Sequence, residues 1–239
     1  MGYLMKKWNI VILSTLLASG TAMAGGGGGG GDWTPPTTGT GVSIPHVGFT
    51  TPTKPVLPAP GKWDGVVHIY QAGSNNDSYA SQTGASGSTI DVHQNGDWGR
   101  STVNQVATKS ATVVNQYGTG NQSYATQSGT GNSIAVTQSG TSNASTTLQA
   151  GSGNAINVSQ SGNNNSSYID QKGKNSSVDV TQVDYRNSST VNQNAEGSMV
   201  VVSQSGSYNN SYVDQTRNTT LAYVQQGGGS GNSSTVLQH

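Results

Sequence analysis

The chain has 239 residues, of which 8% are charged; ten basic residues balance ten acidic ones, and there is a single Phe. Such a composition is unlike that of an enzyme, and zero formal charge gives no reason to expect nucleic acid or an acidic membrane as the main partner. The low apolar content points toward disorder, but the high net charge that goes with disorder is missing, and near-neutrality leaves self-association unopposed.

Residues 1–24 read as a secretory signal. Lys6 and Lys7 precede an apolar run from Trp8 to Leu17, and Ala22-Met23-Ala24 has the small-x-small form of a cleavage site. That run is too short to cross a bilayer, and no later stretch reaches the roughly 20 apolar residues a span needs. With no cysteine, an exported chain is not stapled by disulfides. Residues 25–62 open with seven glycines and contain all seven prolines, which predicts a disordered Gly/Pro-rich arm rather than a fold. From Gly65 to His239 there is no proline, as suits a region whose every backbone N–H enters a sheet ladder.

The region 63–239 is repetitive. Gln71, Gln82, Gln94, Gln105, Gln116, Gln127, Gln138, Gln149, Gln160, Gln171, Gln182, Gln193, Gln204, Gln215, Gln226 and Gln238 follow one another at steps of 11, with two steps of 12. The residue two before the Gln is usually Val or Ile. The residue four before it falls into two alternating classes. One class is mostly apolar (Val67, Ile90, Thr112, Ile134, Ile156, Val178, Val200, Ala222); the other is Ser78, Ser101, Ser123, Ser145, Ser167, Ser189, Ser211 and Ser234. The true unit therefore has two unlike strands in about 22 residues, repeated eight times.

An Asn six before the Gln opens most half-repeats: Asn76, Asn121, Asn143, Asn165, Asn187, Asn209 and Asn232 on the serine side, with Asn132 and Asn154 on the other. A Gly two after the Gln supplies turn freedom. Asp184 and Arg217 replace that Gly, and Ser88, Ser110, Ser176 and Ser198 replace the Asn on the Ile/Val side, so an Asn column is expected to be continuous on one side only.

Because side chains alternate along a strand, Asn132, Ile134, Val136 and Gln138 share one inward face. Burying two unpaired amides would cost roughly 1–3 kcal/mol each. The cost is removed if identical amides stack and bond to one another, coil upon coil. The sequence therefore predicts an all-β fold: a two-sheet parallel β-solenoid of eight stacked strand-turn-strand coils, rising roughly 38 Å at about 4.8 Å per coil. Within a coil, the position four before Gln is expected to face the position two before Gln, setting Val136 against a serine such as Ser123 or Ser145. Three before the Ser-side Gln, an outward column alternates Tyr79, Thr102, Tyr124, Thr146, Tyr168, Thr190, Tyr212, Thr235. Tyr favours exposed strands for its own sake.

The half-repeat Gln127-Ser-Gly129-Thr-Gly-Asn132-Ser-Ile134-Ala-Val-Thr-Gln138 resembles the curlin repeat of curli subunits. That resemblance implies a chain exported through the inner membrane, passed unfolded through a dedicated outer-membrane pore with the arm as its export signal, and polymerised on the Gram-negative cell surface. The implied product is an amyloid fibre of the biofilm matrix, active in adhesion and aggregation. The implied partners are further copies of the chain, a nucleator subunit and the pore, with no nucleic acid and no membrane span. The major subunit is favoured over the minor, nucleating one, because Asn232 to Gln238 keeps the full pattern.

Other readings are weaker. A carboxylate-dependent hydrolase would have only Asp179 and Asp184 close in sequence, so no catalytic residue and no cofactor is expected. His68, Asp91 and His93 project outward on adjacent coils but lack a fourth ligand, so no metal is expected. A non-polymerising surface solenoid that binds ice or polysaccharide would need a flat, regular outer face, whereas Ala135, Thr137, Asn157, Ser159, Asp179 and Thr181 vary. A permanently disordered surface stalk is the remaining alternative.

Overall fold

The computed structural model describes residues 65–239; the expected signal segment (1–24) and arm (25–62) lie outside the described residues. Sixteen strands follow in chain order: β1 (Gly65–Ala72), β2 (Asp77–Gln82), β3 (Ser88–Asp97), β4 (Arg100–Thr108), β5 (Ala111–Thr119), β6 (Gln122–Thr130), β7 (Ser133–Thr141), β8 (Ala144–Ser152), β9 (Ala155–Asn163), β10 (Ser166–Lys174), β11 (Ser177–Tyr185), β12 (Ser188–Gln193), β13 (Met199–Ser207), β14 (Asn210–Gln215), β15 (Leu221–Ser230) and β16 (Ser233–Gln238). Odd-numbered strands form one eight-stranded sheet and even-numbered strands the other, each in sequential order. Every pairing is parallel and every Gln pairs with a Gln. The fold is thus an all-β, two-sheet parallel solenoid of eight coils.

Alternation sets the inward face. Along β7, Ile134, Val136 and Gln138 are buried while Ser133 and Thr137 are exposed. The Val column, Val92, Val114, Val136, Val158 and Val180, is completely buried, and with the Ile residues it forms one continuous core. Each such side chain contributes about 1.5–3 kcal/mol of apolar transfer.

The two 12-residue steps leave the register intact. The first is absorbed in the turn between β2 and β3, where Ala85 is buried and its carbonyl accepts from Ser88 N–H at 3.0 Å. The second is a β-bulge in β15: Gln204 pairs with Gln226, but Gly206 pairs with Gly229.

One expectation is corrected. Thr112 Oγ1 donates to Gln127 Oε1 at 3.3 Å, and Gln138 Nε2 donates to the carbonyl of Gln122, the neighbour of Ser123. The position four before Gln therefore lies across from a Gln, and the positions two before Gln lie across from each other. Val136 is opposite Ala125, not a serine. The reason is symmetry: each strand turns three residues inward, and two such triplets running opposite ways set the first of one against the last of the other.

Candidate assembly surfaces: two amide ladders and their open ends

Each sheet carries eight glutamines in line, and every side-chain N–H2 but the last donates to the carboxamide oxygen of the Gln one coil further on. In the odd-strand sheet the ladder runs Gln71, Gln94, Gln116, Gln138, Gln160, Gln182, Gln204, Gln226, with N···O distances of 2.7–2.9 Å. In the even-strand sheet it runs Gln82, Gln105, Gln127, Gln149, Gln171, Gln193, Gln215, Gln238 at 2.6–2.9 Å. The second amide hydrogen crosses to the backbone of the opposite sheet, as from Gln138 to Gln122 O, Gln149 to Ser133 O and Gln160 to Ala144 O. That cross-sheet bond needs a donor, so it fixes which end of the amide is nitrogen and gives both ladders the same polarity.

Asn works differently: it pins turns. Asn143 Nδ2 donates to Ser139 O in its own turn and to Gly162 O in the next coil, while its Oδ1 accepts Asn165 N–H. Asn121, Asn165 and Asn187 repeat this on the even-strand side, as do Asn132 and Asn154 on the other, while Asn209 donates to Ser205 O and to Asn187 Oδ1 and accepts Asn232 N–H. Asn76 bonds Ala72 O, Gly96 O and Gly99 N–H, and Asn232 closes the column against Asn209 Oδ1.

The expectation of a one-sided column is also corrected. On the even-strand side, Gly99 stands at the Asn position and interrupts the side-chain column. On the odd-strand side, the serines do the work of the missing Asn. Ser88, Ser176 and Ser198 each donate to a turn carbonyl of the next coil, and Ser88, Ser110, Ser176 and Ser198 each accept the N–H of the residue above. A hydroxyl can replace the amide because the column's partners are backbone groups.

The Ser column at 78, 101, 123, 145, 167, 189, 211 and 234 lies across from the glutamines, and none of its eight hydroxyl oxygens has a hydrogen-bond partner among the described residues. Size rather than bonding thus decides this position. The Tyr/Thr column is outward and in register, Tyr124 pairing with Thr102 and Thr146; Tyr79, Tyr124 and Tyr168 are exposed.

Charges stay on the outside. Asp179 accepts from Asn157 Nδ2 at 3.2 Å and Asp184 from Gly206 N–H at 3.0 Å, so the two carboxylates have separate partners. The Lys172 ammonium is held above the ordinary lysine range by its hydrogen bond to Asp170 and by the charge of that carboxylate. His68, Asp91 and His93 do come together, on the outer face of the first two coils.

A second left-handed position escaped the sequence reading. Besides the Gly two after Gln, the residue four after Gln has positive φ in nearly every turn: Gly120, Gly131, Gly153 and Gly197, but also Trp98, Lys109, Ser142, Asn164, Asn175, Arg186, Tyr208 and Thr219. The recurrent glycines at that offset were the available signal.

The ends differ from the middle. Gln138, Gln171, Gln182 and Gln215 are completely buried, whereas Gln71, Gln82 and Gln238 are half-buried. Val67, Ile69, Ala80 and Val236 are likewise only partly covered. At the first coil, the Oε1 atoms of Gln71 and Gln82 have no donor among the described residues. At the last coil, Gln226 and Gln238 donate only to backbone, to Asn210 O and Leu221 O, and each keeps one amide hydrogen unused. One end offers acceptors and the other donors.

Compared with known protein families, the chain matches the model of the curlin associated repeat three times, at residues 110–140, 129–162 and 151–183. No curated protein matches the sequence. The matched segments span β5 to β11, three strands each with β7 and β9 shared, and the same Gln register continues beyond them in both directions. Among the described residues no helix is long and apolar enough to cross a membrane.

Proposed function

We propose that this chain, which matches the curlin associated repeat across its central coils, is a curli-type subunit and the major structural subunit of an extracellular amyloid fibre. In this reading it is exported unfolded, joins end to end on the cell surface, contributes to biofilm matrix and adhesion, and catalyses nothing. The reading rests on the complementarity of the two ends. Placing the last coil of one copy beneath the first coil of another sets the unused amide hydrogens of Gln226 and Gln238 against the open oxygens of Gln71 and Gln82. The same step sets Val224 against Ile69, Val236 against Ala80 and Asn232 against Asn76. It also brings Thr235 next to Tyr79, so the outward Tyr/Thr alternation runs on without a break.

Because all strands are parallel and in register, pairing edge strand β15 of one copy with β1 of the next continues the sheet by translation along the solenoid. Such a contact joins unlike surfaces and does not close, so its product is a filament. A major rather than a nucleating role is supported by the pattern persisting through all eight coils. The test is the purified chain under quiescent conditions. It should form fibres with a meridional reflection near 4.7–4.8 Å, and Val67→Lys with Ile69→Lys should block addition at one end. A wild-type chain that stays a soluble monomer would rule the proposal out.

A further inference from the structure

His68 on β1 and the pair Asp91 and His93 on β3 share the outer face of one sheet. Register makes Asp91 the direct neighbour of His68, and His93 that of Tyr70. Asp91 Oδ1 lies 2.8 Å from His68 Nδ1 and 3.2 Å from His93 Nε2, and one ligand atom from each residue falls within 4.8 Å of the others. Among the described residues this is the one group of three His, Cys, Asp or Glu side chains so arranged. The rings are braced: His93 has the His68 ring at 5.4 Å and the Tyr70 ring at 5.5 Å. His68 is 17% exposed, His93 34% and Asp91 43%, so the cluster is half sheltered yet open to solvent on one side.

Two imidazoles and a carboxylate are a ligand set for zinc and its neighbours, with ligand distances of about 2.0–2.2 Å and hence ligand–ligand separations of roughly 3.3 Å in a tetrahedron. The two nitrogen-to-carboxylate separations, 2.8 and 3.2 Å, already lie near that value, and the ligand nitrogens of His68 and His93 lie within 4.8 Å of each other. His68 offers Nδ1 and His93 Nε2, so each ring keeps its other nitrogen for the proton. The solvent-facing side leaves a fourth position for water. A sequence reading stops at three ligands without knowing that they converge; the in-register stacking of β1 on β3 supplies the convergence.

We propose that His68, Asp91 and His93 bind one divalent transition-metal ion of the zinc and copper class. Such an ion cross-links residues of the first and second coils. Among the described residues β1 is an edge strand, held in its sheet by β3 alone, so an ion across the two strands ties down a coil with a neighbour on one side. The site is complete within one chain and does not depend on fibre formation.

Equilibrium dialysis of the full chain against Zn2+ tests this. Wild type should bind about one ion per chain at this site, and His93→Gln and Asp91→Asn should each weaken binding by more than about tenfold. His239→Gln should leave binding as it was. Zn2+ should also slow amide hydrogen exchange in residues 65–72 of wild type but not of His93→Gln. The substituted side chains lie on the outer face, and an unchanged strand signal in circular dichroism confirms that each variant folds. Absence of Zn2+ binding by wild type, or binding that survives both substitutions, overturns the proposal.

Discussion

Gln138 donates one amide hydrogen to Gln160 Oε1 at 2.8 Å, along the stack, and the other to Gln122 O at 2.9 Å, across it. Its own oxygen accepts from Gln116 at 2.8 Å. Every polar atom of a completely buried side chain is thus satisfied. Gln138→Glu keeps the acceptor, removes both donors and leaves a carboxylate facing two oxygens. Removing one partner from a buried, fully bonded set costs about 3–5 kcal/mol when a charge is left behind. Fibre growth, followed by thioflavin fluorescence, should slow sharply at neutral pH. Burial raises the pKa of such a carboxyl, so growth should recover in part at acid pH, where the protonated form regains one donor. A variant as fast as wild type at neutral pH would refute the ladder's importance.

Ser145 calls for the opposite expectation. Its hydroxyl is buried and unpartnered, and the same holds for its seven equivalents. Ser145→Ala removes a desolvated group and loses no hydrogen bond, so it should be neutral or stabilising by up to about 1 kcal/mol. Denaturant resistance of the assembled protein measures this. A loss of stability would mean that the hydroxyl has a partner in the fibre.

The repeat was legible because a stacked fold writes its geometry into sequence period. The Gln spacing gave the coil length, the Ser and Ile/Val alternation gave two unlike strands, and the inward parity of Ile134, Val136 and Gln138 gave the buried face. What stayed hidden was relational. Period alone does not say which inward residue of one strand meets which of the other, so Val136 was set against serine instead of Ala125. Nor does residue type reveal that Ser110 or Ser198 can replace Asn, because the partners are backbone groups with no sequence signature. The left-handed turn position was masked by Trp98, Lys109 and Thr219, which occupy it against their own preference. The 23-residue step from Gln71 to Gln94 already set His68 level with Asp91; that the ligand atoms of His68, Asp91 and His93 converge on one point came only with the side-chain directions.

Gly84 and Gly140, each two after a Gln, give a contrast that stability can read. Gly140 has φ of 102°, and a Cβ there would run into the carbonyl oxygen of Gly162 in the next coil. Gly84 has φ of 63° with open space around it. Gly84→Ala should cost only the left-handed penalty of about 1–2 kcal/mol, whereas Gly140→Ala should cost clearly more. At Thr219, a β-branched residue with φ of 57°, the sign reverses. Thr219→Gly relieves about 1–2 kcal/mol of backbone strain against a smaller entropic cost to the unfolded chain, for a net gain of up to about 1 kcal/mol. Equal losses at Gly84 and Gly140 would contradict the stacked-turn geometry.

Charge placement predicts where fibre formation is fastest. No charged residue occurs from Ser110 to Ile169, so in any in-register stack of that segment the outward neighbours are neutral pairs such as Thr137 with Ser159. From Asp170 onward the outer face carries Asp170, Lys172, Lys174, Asp179, Asp184, Arg186, Glu196, Asp214 and Arg217. Stacking different copies brings such charges together at spacings of roughly 5–10 Å, and charges flanking an aggregation-prone segment hold it back. A peptide of residues 110–169 should therefore nucleate fibres sooner than one of residues 170–239 at equal concentration. Added salt should shorten the delay of the second more than that of the first, because screening acts only where charges repel. The reverse order of nucleation would mean that core packing, not the charged outer face, limits the rate.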